Sequence, residues 1–416
     1  MTIAKHRDIR GRIKGIAIGT IALLTMTVAM LSTSVTAPKD GFLVFNLVSD
    51  LPGLAKFLDP DLVNPWGVAT SSGSPFWVAD NNAGLATLYN TQGTKQGLRV
   101  TIPNPVDFCD AVGTPTGTVF NIDGGAAGGF PIMGVNRFGA ASVAPAIFLF
   151  ATEDGTIVGW NPGVNPALNP PAPAGCDPQR AGTFGIIAVD NSGNNFTNPD
   201  PASQTGAVYK GLAIATDANG RTLLYATNFR AGRVDVFAAD FGLPDPALPA
   251  GAFTDPSLPD GYAPFNIVEI NGKLVVTYAK QDANKHDDVA GQSHGFVNIF
   301  DLDGSGLQRL AQHGQLNSPW GVAVAPAAFG ELAGDLLIGN FGNGHINAFD
   351  MESGQFLGKV RDPDGQAIAI DGLWTLRVGN GKAGGDTDKV YFTAGLMRET
   401  HGLFGSICSV QSSTCQ

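Results

Sequence analysis

Six stretches of the chain repeat one short phrase: a glycine, an alternating apolar strand ending in an aromatic residue, then Asn or Asp. They are GLATLYN from Gly84, GTIVGWN from Gly155, GRVDVFAAD from Gly232, GFVNIFD from Gly295, GHINAFD from Gly344 and, more weakly, GLFGSI from Gly402. Alternation of period two sends successive side chains to opposite faces of a strand. Short strands that recur every roughly 40 to 80 residues, with no helical pattern between them, point to radial β architectures.

Cutting each repeat into strands counts the blades. The first takes 64–70, 75–81, 84–90 and 98–103, and the second 116–121, 146–152, 155–161 and 185–190. The third takes 209–216, 222–228 and 232–240, and the fourth 265–270, 273–280 and 295–301. The fifth takes 318–324, 335–340, 344–350 and 356–362, and the sixth 373–379, 389–395 and 403–410. The sixth lacks an outer strand, while FLVFNLVSD (42–50) has no partner at the other end. Lending that segment to the sixth blade closes the ring and removes its exposed edges. The expected fold is all-β: a single six-bladed β-propeller of four-stranded blades over 41–410, closed by an N-terminal strand, with a tail at 411–416.

Composition agrees, with 55 glycines in 416 residues and few charges. A formal charge of −11 argues against nucleic acid, which needs a concentrated basic surface. Ordinary solubility accounts for the acidity, and a monomer is expected. Residues 1–37 differ from the rest. Lys5, Arg7, Arg10, Arg12 and Lys14 precede an apolar run from Ile16 to Leu31 and then small polar residues, the order of an export signal. Val35 and Ala37 suit cleavage, although Pro38 hinders it; cleavage after Ser34 is the fallback and an uncleaved anchor the alternative. The expected location is periplasmic or secreted. In an oxidising compartment Cys109–Cys176 and Cys408–Cys415 are the natural disulfides, although three pairings exist and sequence cannot choose among them.

The near-identical NPWGVA and SPWGVA, the NFRAGRVDVF stretch and the run KHDDVAGQSHGFVNIFD resemble an uncharacterised family of exported bacterial proteins. That family is similar to the NHL-repeat and SMP-30/lactonase-type six-bladed propellers. The resemblance covers most of residues 41–408 and implies fold and export without an established activity. Some members carry a PEP-CTERM sorting segment; this chain ends SVQSSTCQ, without a hydrophobic tail.

Propeller topology gathers residues just before each inner strand, or just after each second strand, around one mouth of the central channel. Read this way, the mouth holds Asn64, Asp80, Asn81, Asn228, Lys280, Asp282, Asn317, Asn340 and Asp371, most of them oxygen donors. In SMP-30-like propellers the equivalent mouth holds a divalent cation, and hard cations such as calcium favour such ligands. Asn and Asp at strand ends also cap turns through their own backbone. Two longer loops share this face. KQDANKHDDVAGQSHG (280–295) carries Asp282, His286, Asp287, Asp288 and His294; GLMRETHG (395–402) carries Arg398, Glu399 and His401. Histidine beside carboxylates suits zinc or acid–base chemistry, and solvated loop residues explain the same pattern.

The leading expectation is an exported propeller that binds a divalent metal, Ca or Zn, and a small-molecule ligand at this funnel. Metal-dependent hydrolysis of an ester or lactone is the reaction considered. His286, His401 and Glu399 are then catalytic candidates; Asp282, His286, Asp287, His294 and His401 are metal ligands. The alternative is a non-catalytic envelope or extracellular protein that recognises a protein or glycan partner. Trp66, Trp320 and Trp374 are expected to pack between blades.

Overall fold

Around a central axis, antiparallel sheets repeat one order from inside outwards: inner strand, second, third, outer; the third blade has three strands among the described residues instead of the expected four. The computed structural model describes residues 41–106, 112–124, 128–165, 183–193 and 205–415. The 1–37 segment, Cys109 and Cys176 lie outside them. Inner strands run Pro65–Ala69, Pro115–Phe120, Tyr209–Thr216, Tyr262–Ile270, Pro319–Val324 and Leu373–Val378, giving the expected six blades.

The ring closes as the sequence predicts. Phe42–Ser49 pairs antiparallel with His401–Ser409, Phe42 opposite Ser409, and so becomes the outer strand of the sixth blade. Closure leaves that blade's edge protected. Nearby, a disulfide joins Cys408 to Cys415 across a Cα separation of 5.6 Å. Four pieces escaped the sequence reading. Phe57–Leu58 adds in parallel to the closing strand. Gln308–Gln312 is the outer strand of the fourth blade. A hairpin of Pro131–Val135 and Ala141–Pro145 is inserted in the second. Thr183–Phe184 adds in parallel to the outer strand of the first. None has the glycine-headed phrase, and the hairpin exposes Met133, Phe138 and Val143 rather than burying an alternating face.

Apolar clusters fill the wedges between neighbouring blades, for instance Trp77, Phe148, Phe150 and Trp160 between the first and second. At particular glycines, neighbouring inner strands come so close that a side chain would not fit. A Cβ on Gly117 would lie 2.4 Å from the Leu212 amide nitrogen, and one on Gly67 would lie 2.5 Å from the Thr116 carbonyl oxygen. These glycines therefore set how tightly the ring closes.

Candidate functional site

Two rings of residues define the upper end of the channel. Every inner strand breaks register near its start, in the sense of a β-bulge. At that break stand Trp66, Thr116, Lys210, Phe265, Trp320 and Trp374, one from each blade. Bulges re-aim side chains, and here they turn these residues to the axis. Trp66 stacks on Trp374 with ring centroids 3.6 Å apart, Phe341 stacks on the latter at 4.0 Å, and Trp320 stands edge-on to both tryptophans. With Phe229, Phe265, Ala263 and Ala279 they form one buried cluster, an aromatic floor across the axis. The tryptophans thus meet one another at the centre instead of packing only between adjacent blades. Lys210 is the ring's one charged member.

The second ring lies above the first. Asn81, Glu153, Phe229, Gln281, Phe341 and Gly395 each donate their backbone N–H to the carbonyl of a residue preceding the inner strand: Asn64, Thr114, Val208, Gly261, Ser318 and Gly372 respectively. This equivalence brings Glu153 over Lys210. The buried Lys210 Nζ donates to Glu153 Oε1 and, at 3.3 Å, to Asp287 Oδ1. It also lies 5.0 Å from the Trp66 ring centroid and 5.9 Å from that of Phe229, close enough for cation–π attraction. Asn81 Nδ2 donates to Glu153 Oε2 at 2.9 Å, and His286 Nδ1 lies 2.8 Å from Asp287 Oδ1.

From the opposite side, Glu399 reaches the same centre. Asn64 Nδ2 donates to its Oε2 at 2.9 Å, while Trp374 Nε1 donates to Asn64 Oδ1 at 3.0 Å. Gly395 makes room for this arrangement, since a Cβ there would fall 2.2 Å from Asn64 Oδ1. Met397, Arg398 and Glu399 hold φ of 52°, 59° and 66°, a left-handed turn that L-residues rarely adopt. Asp371 Oδ2 accepts from Met397 N at 2.9 Å and Asn82 Nδ2 donates to Glu399 O at 2.7 Å, so side-chain bonds hold the strained turn.

Two carboxylates thus contact one ammonium, and a third, Glu399, acts on it through space. Burial alone would lower Lys210, but the charges of Glu153 and Asp287 raise it, so it stays protonated. Asp287 loses some hydration to the protein around it, which opposes its ionised form, but its side chain is 66% exposed; the bond to His286 and the Lys210 charge prevail and hold the carboxyl well below its ordinary range. Glu399 goes the other way. Burial, then the negative charge of Glu153, pushes it up to about 7. Burial also raises Asp154 to about 6 and lifts Asp288.

A carboxyl whose folded pKa exceeds its ordinary value of 4.5 stabilises the fold fully below that value. The contribution disappears as pH rises through about 7. Melting temperature is therefore expected to fall between pH 5 and 8, and Glu399→Gln to flatten part of that slope, leaving the share due to other raised carboxyls such as Asp154, Asp288 and Asp80. Thermal denaturation followed by circular dichroism across this range checks it; an unchanged slope in E399Q contradicts the assignment.

The residues singled out from sequence divide into three groups. Asn64, Asn81, His286, Asp287 and Glu399 converge on the centre just described. Asp282, Asn317 and Asp371 support the loops: Asp282 Oδ1 accepts from His286 N at 2.8 Å, Asn317 Oδ1 accepts from Gly291 N at 2.7 Å, and Asp371 holds Met397. Others turn to different partners. Asp80 faces into its blade, bonded to Thr87 Oγ1 at 2.7 Å, with burial raising its pKa. Asn228 bonds Asp235, Asn340 bonds Asn343 and the Gln315 carbonyl, and Lys280 is exposed. His294 Nδ1 lies 2.8 Å from the Val289 carbonyl oxygen and His401 Nδ1 lies 2.7 Å from Asp50 Oδ2. The 280–295 and 395–402 loops therefore approach one centre through carboxylates, while their histidines look elsewhere except for His286. Glu153, Lys210 and Asn82 were missed. A lysine inside the otherwise apolar strand YKGLAIAT was the signal available.

Among the described residues, Glu153, His286 and Asp287 offer donor atoms all within 4.8 Å of one another. Two carboxylates and an imidazole form a donor set that zinc or calcium accepts, calcium preferring the oxygens. The Lys210 ammonium already lies between the two carboxylates and offsets one of their charges.

No protein-family model matches the chain. Among solved structures it is similar to a PQQ-bound aldose sugar dehydrogenase from Streptomyces coelicolor, at 12% identity and a TM-score of 0.44 over 90% of this chain and 99% of that one. It is also similar to the apo soluble aldose sugar dehydrogenase of Escherichia coli, at 10% and 0.46 over 88% and 99%. Sequence relatives are nearer. Two from Acanthamoeba polyphaga mimivirus, named uncharacterized proteins R648 and L690, are 31% and 32% identical, each over 88% of this chain and over 80% and 85% of their own lengths. These relatives are viral, where the sequence resemblance pointed to bacterial proteins. Similarity at this level along nearly the whole propeller places the chain in the family of the mimivirus proteins R648 and L690.

Proposed function

We propose that the upper face is a small-molecule site in which Glu153, His286 and Asp287 hold a divalent cation and Glu399 acts as the general acid–base for hydrolysis of an ester or lactone. One observation carries the reading: ionisable side chains from four different blades converge above a sealed floor, with more carboxylate than Lys210 neutralises. Bound there, a cation would polarise a substrate carbonyl. Lys210, kept protonated, would orient anionic groups, and Asn81 and Asn64 would hold the two glutamates. A carboxyl near 7 is matched to proton transfer at neutral pH. The buried aromatic cluster would form the apolar base of the site.

The same proximity of Lys210 to Glu153 and Asp287 favours a second reading, a non-catalytic face that recognises a ligand or an envelope or extracellular partner without metal. Export through residues 1–37 belongs to either reading; the Cys408–Cys415 disulfide supports an oxidising compartment.

Metal analysis by mass spectrometry on untagged protein, beside the Glu153→Gln/His286→Ala double variant, separates them. About one equivalent in the wild type, lost in the variant, is expected and directs a screen of esters and lactones. No metal in the wild type after reloading would sink the metal-dependent reading. Metal retained by the variant moves the site away from these residues.

A further inference from the structure

Beyond the aromatic floor, the second halves of the six inner strands line a cavity of about 400 Å³ that is open to solvent. That is within the range of small-molecule sites. Its wall is largely Val, Ile, Leu and Ala, interrupted by Thr70, Thr118, Asn266 and Thr375, and Trp320 separates it from the carboxylate centre above. Two ionisable residues line it, Glu269 and Arg377. Glu269 is exposed, and its Oε1 accepts from the Gly272 amide at 2.7 Å.

Arg377 is different. Its Nη2 donates to Thr70 Oγ1 at 3.1 Å, while the enclosed Nε has no hydrogen-bond partner. Among the described residues no carboxylate forms an ion pair with it. Burial lowers its pKa to about 10, which leaves it cationic at neutral pH. Arg377 is partly buried, and a guanidinium whose Nε is shut away from water without an anion loses hydration and gains no compensating charge. Its planar fork suits a carboxylate or a phosphate, and an apolar wall around it would strengthen that attraction.

We propose that this cavity is a second ligand site, independent of the upper one, that takes a small oxyanion on Arg377 with Thr70 holding the guanidinium in place. The two ends of the axis then select opposite charges: the upper centre carries surplus carboxylate, and the cavity carries a cation with no acidic ion-pair partner.

Isothermal titration of the full chain with sodium phosphate, and separately with sodium succinate, at constant ionic strength tests this. Saturable binding with one ligand per chain is expected. Preference for phosphate identifies a phosphate site, and preference for succinate a carboxylate site. Arg377→Gln is expected to weaken binding at least about tenfold, the loss of a charge-assisted bond. Should R377Q fail to fold, Arg377→Lys keeps the charge but removes the two-pronged fork, and binding should still weaken. A folded wild type that binds neither anion overturns the proposal. So does unchanged affinity in R377Q, or in R377K where R377Q does not fold.

Discussion

Replacing Lys210 with Met is expected to destabilise the fold by about 3–5 kcal/mol, the cost of breaking a buried ion pair from one side. The lysine side chain is 2% exposed and Glu153 only 11%, so neither charge can simply return to water. Without the ammonium, Glu153, Asp287 and Glu399 repel one another across the mouth, and further carboxyl protonation becomes the main relief. Destabilisation should therefore be larger at pH 8 than at pH 5. Urea denaturation in the presence of chelator, at both pH values, measures this. If a divalent cation binds at Glu153, His286 and Asp287, it should bind K210M more tightly than the wild type and restore part of the lost stability. A loss below about 1 kcal/mol at pH 8 would mean that the pair behaves as a surface salt bridge.

Trp374→Ala is expected to cost a similar amount, about 3–5 kcal/mol, as for other large aromatic truncations in cores. The indole stacks on Trp66 and Phe341 and stands edge to face with Trp320, so truncation leaves a void at the point where all blades meet. It also removes the Nε1 donor that fixes Asn64, which in turn positions Glu399. Two effects should appear together: a lower unfolding midpoint, and a Glu399 titration displaced from about 7. Trp374→Phe retains most of the packing but not the donor. It should recover much of the stability while leaving Glu399 displaced, a split readable by carboxyl-carbon NMR. Equal recovery of both would show that packing alone positions the glutamate. Domains typically have total stabilities of about 5–15 kcal/mol, so either replacement takes a large fraction.

The candidate site was legible in part, and the reason lies in one residue of strand register. Reading the mouth at the last residues of the second strands selected Asp80, Asn228, Lys280 and Asn340. Strand side chains alternate, so a one-residue step exchanges the faces. The residues on the axis are the next ones, Asn81, Phe229, Gln281 and Phe341, with Glu153 at the corresponding place in the second blade. Asn81 was found because both members of its pair were considered. Lys210 and the tryptophans occupy one bulge position, written PWG, PTG, YKG, PFN, PWG and LWT in successive blades. Only the two PWG copies announce themselves as a repeat. Histidines in the long loops drew attention by residue type, yet His294 and His401 bond to Val289 and Asp50 because loop conformation, unlike strand alternation, has no period to read.

Sequence by itself determined the all-β class, the six repeats and the closing strand at 42–50. Those follow from alternation, glycine-headed turns and an unmatched edge, all of them local signals or simple counts. Tertiary structure alone decided which polar side chains meet. Glu153, Lys210, Asp287 and Glu399 are far apart along the chain; a bulged inner strand aims Lys210 at the axis, and the other three reach it from the segments that follow the second strands of their blades. The same closure placed Arg377 in a cavity wall without an acidic partner. A charge near an opposite charge is ordinary in sequence; whether it is buried, paired or left alone depends on which strands the ring brings together.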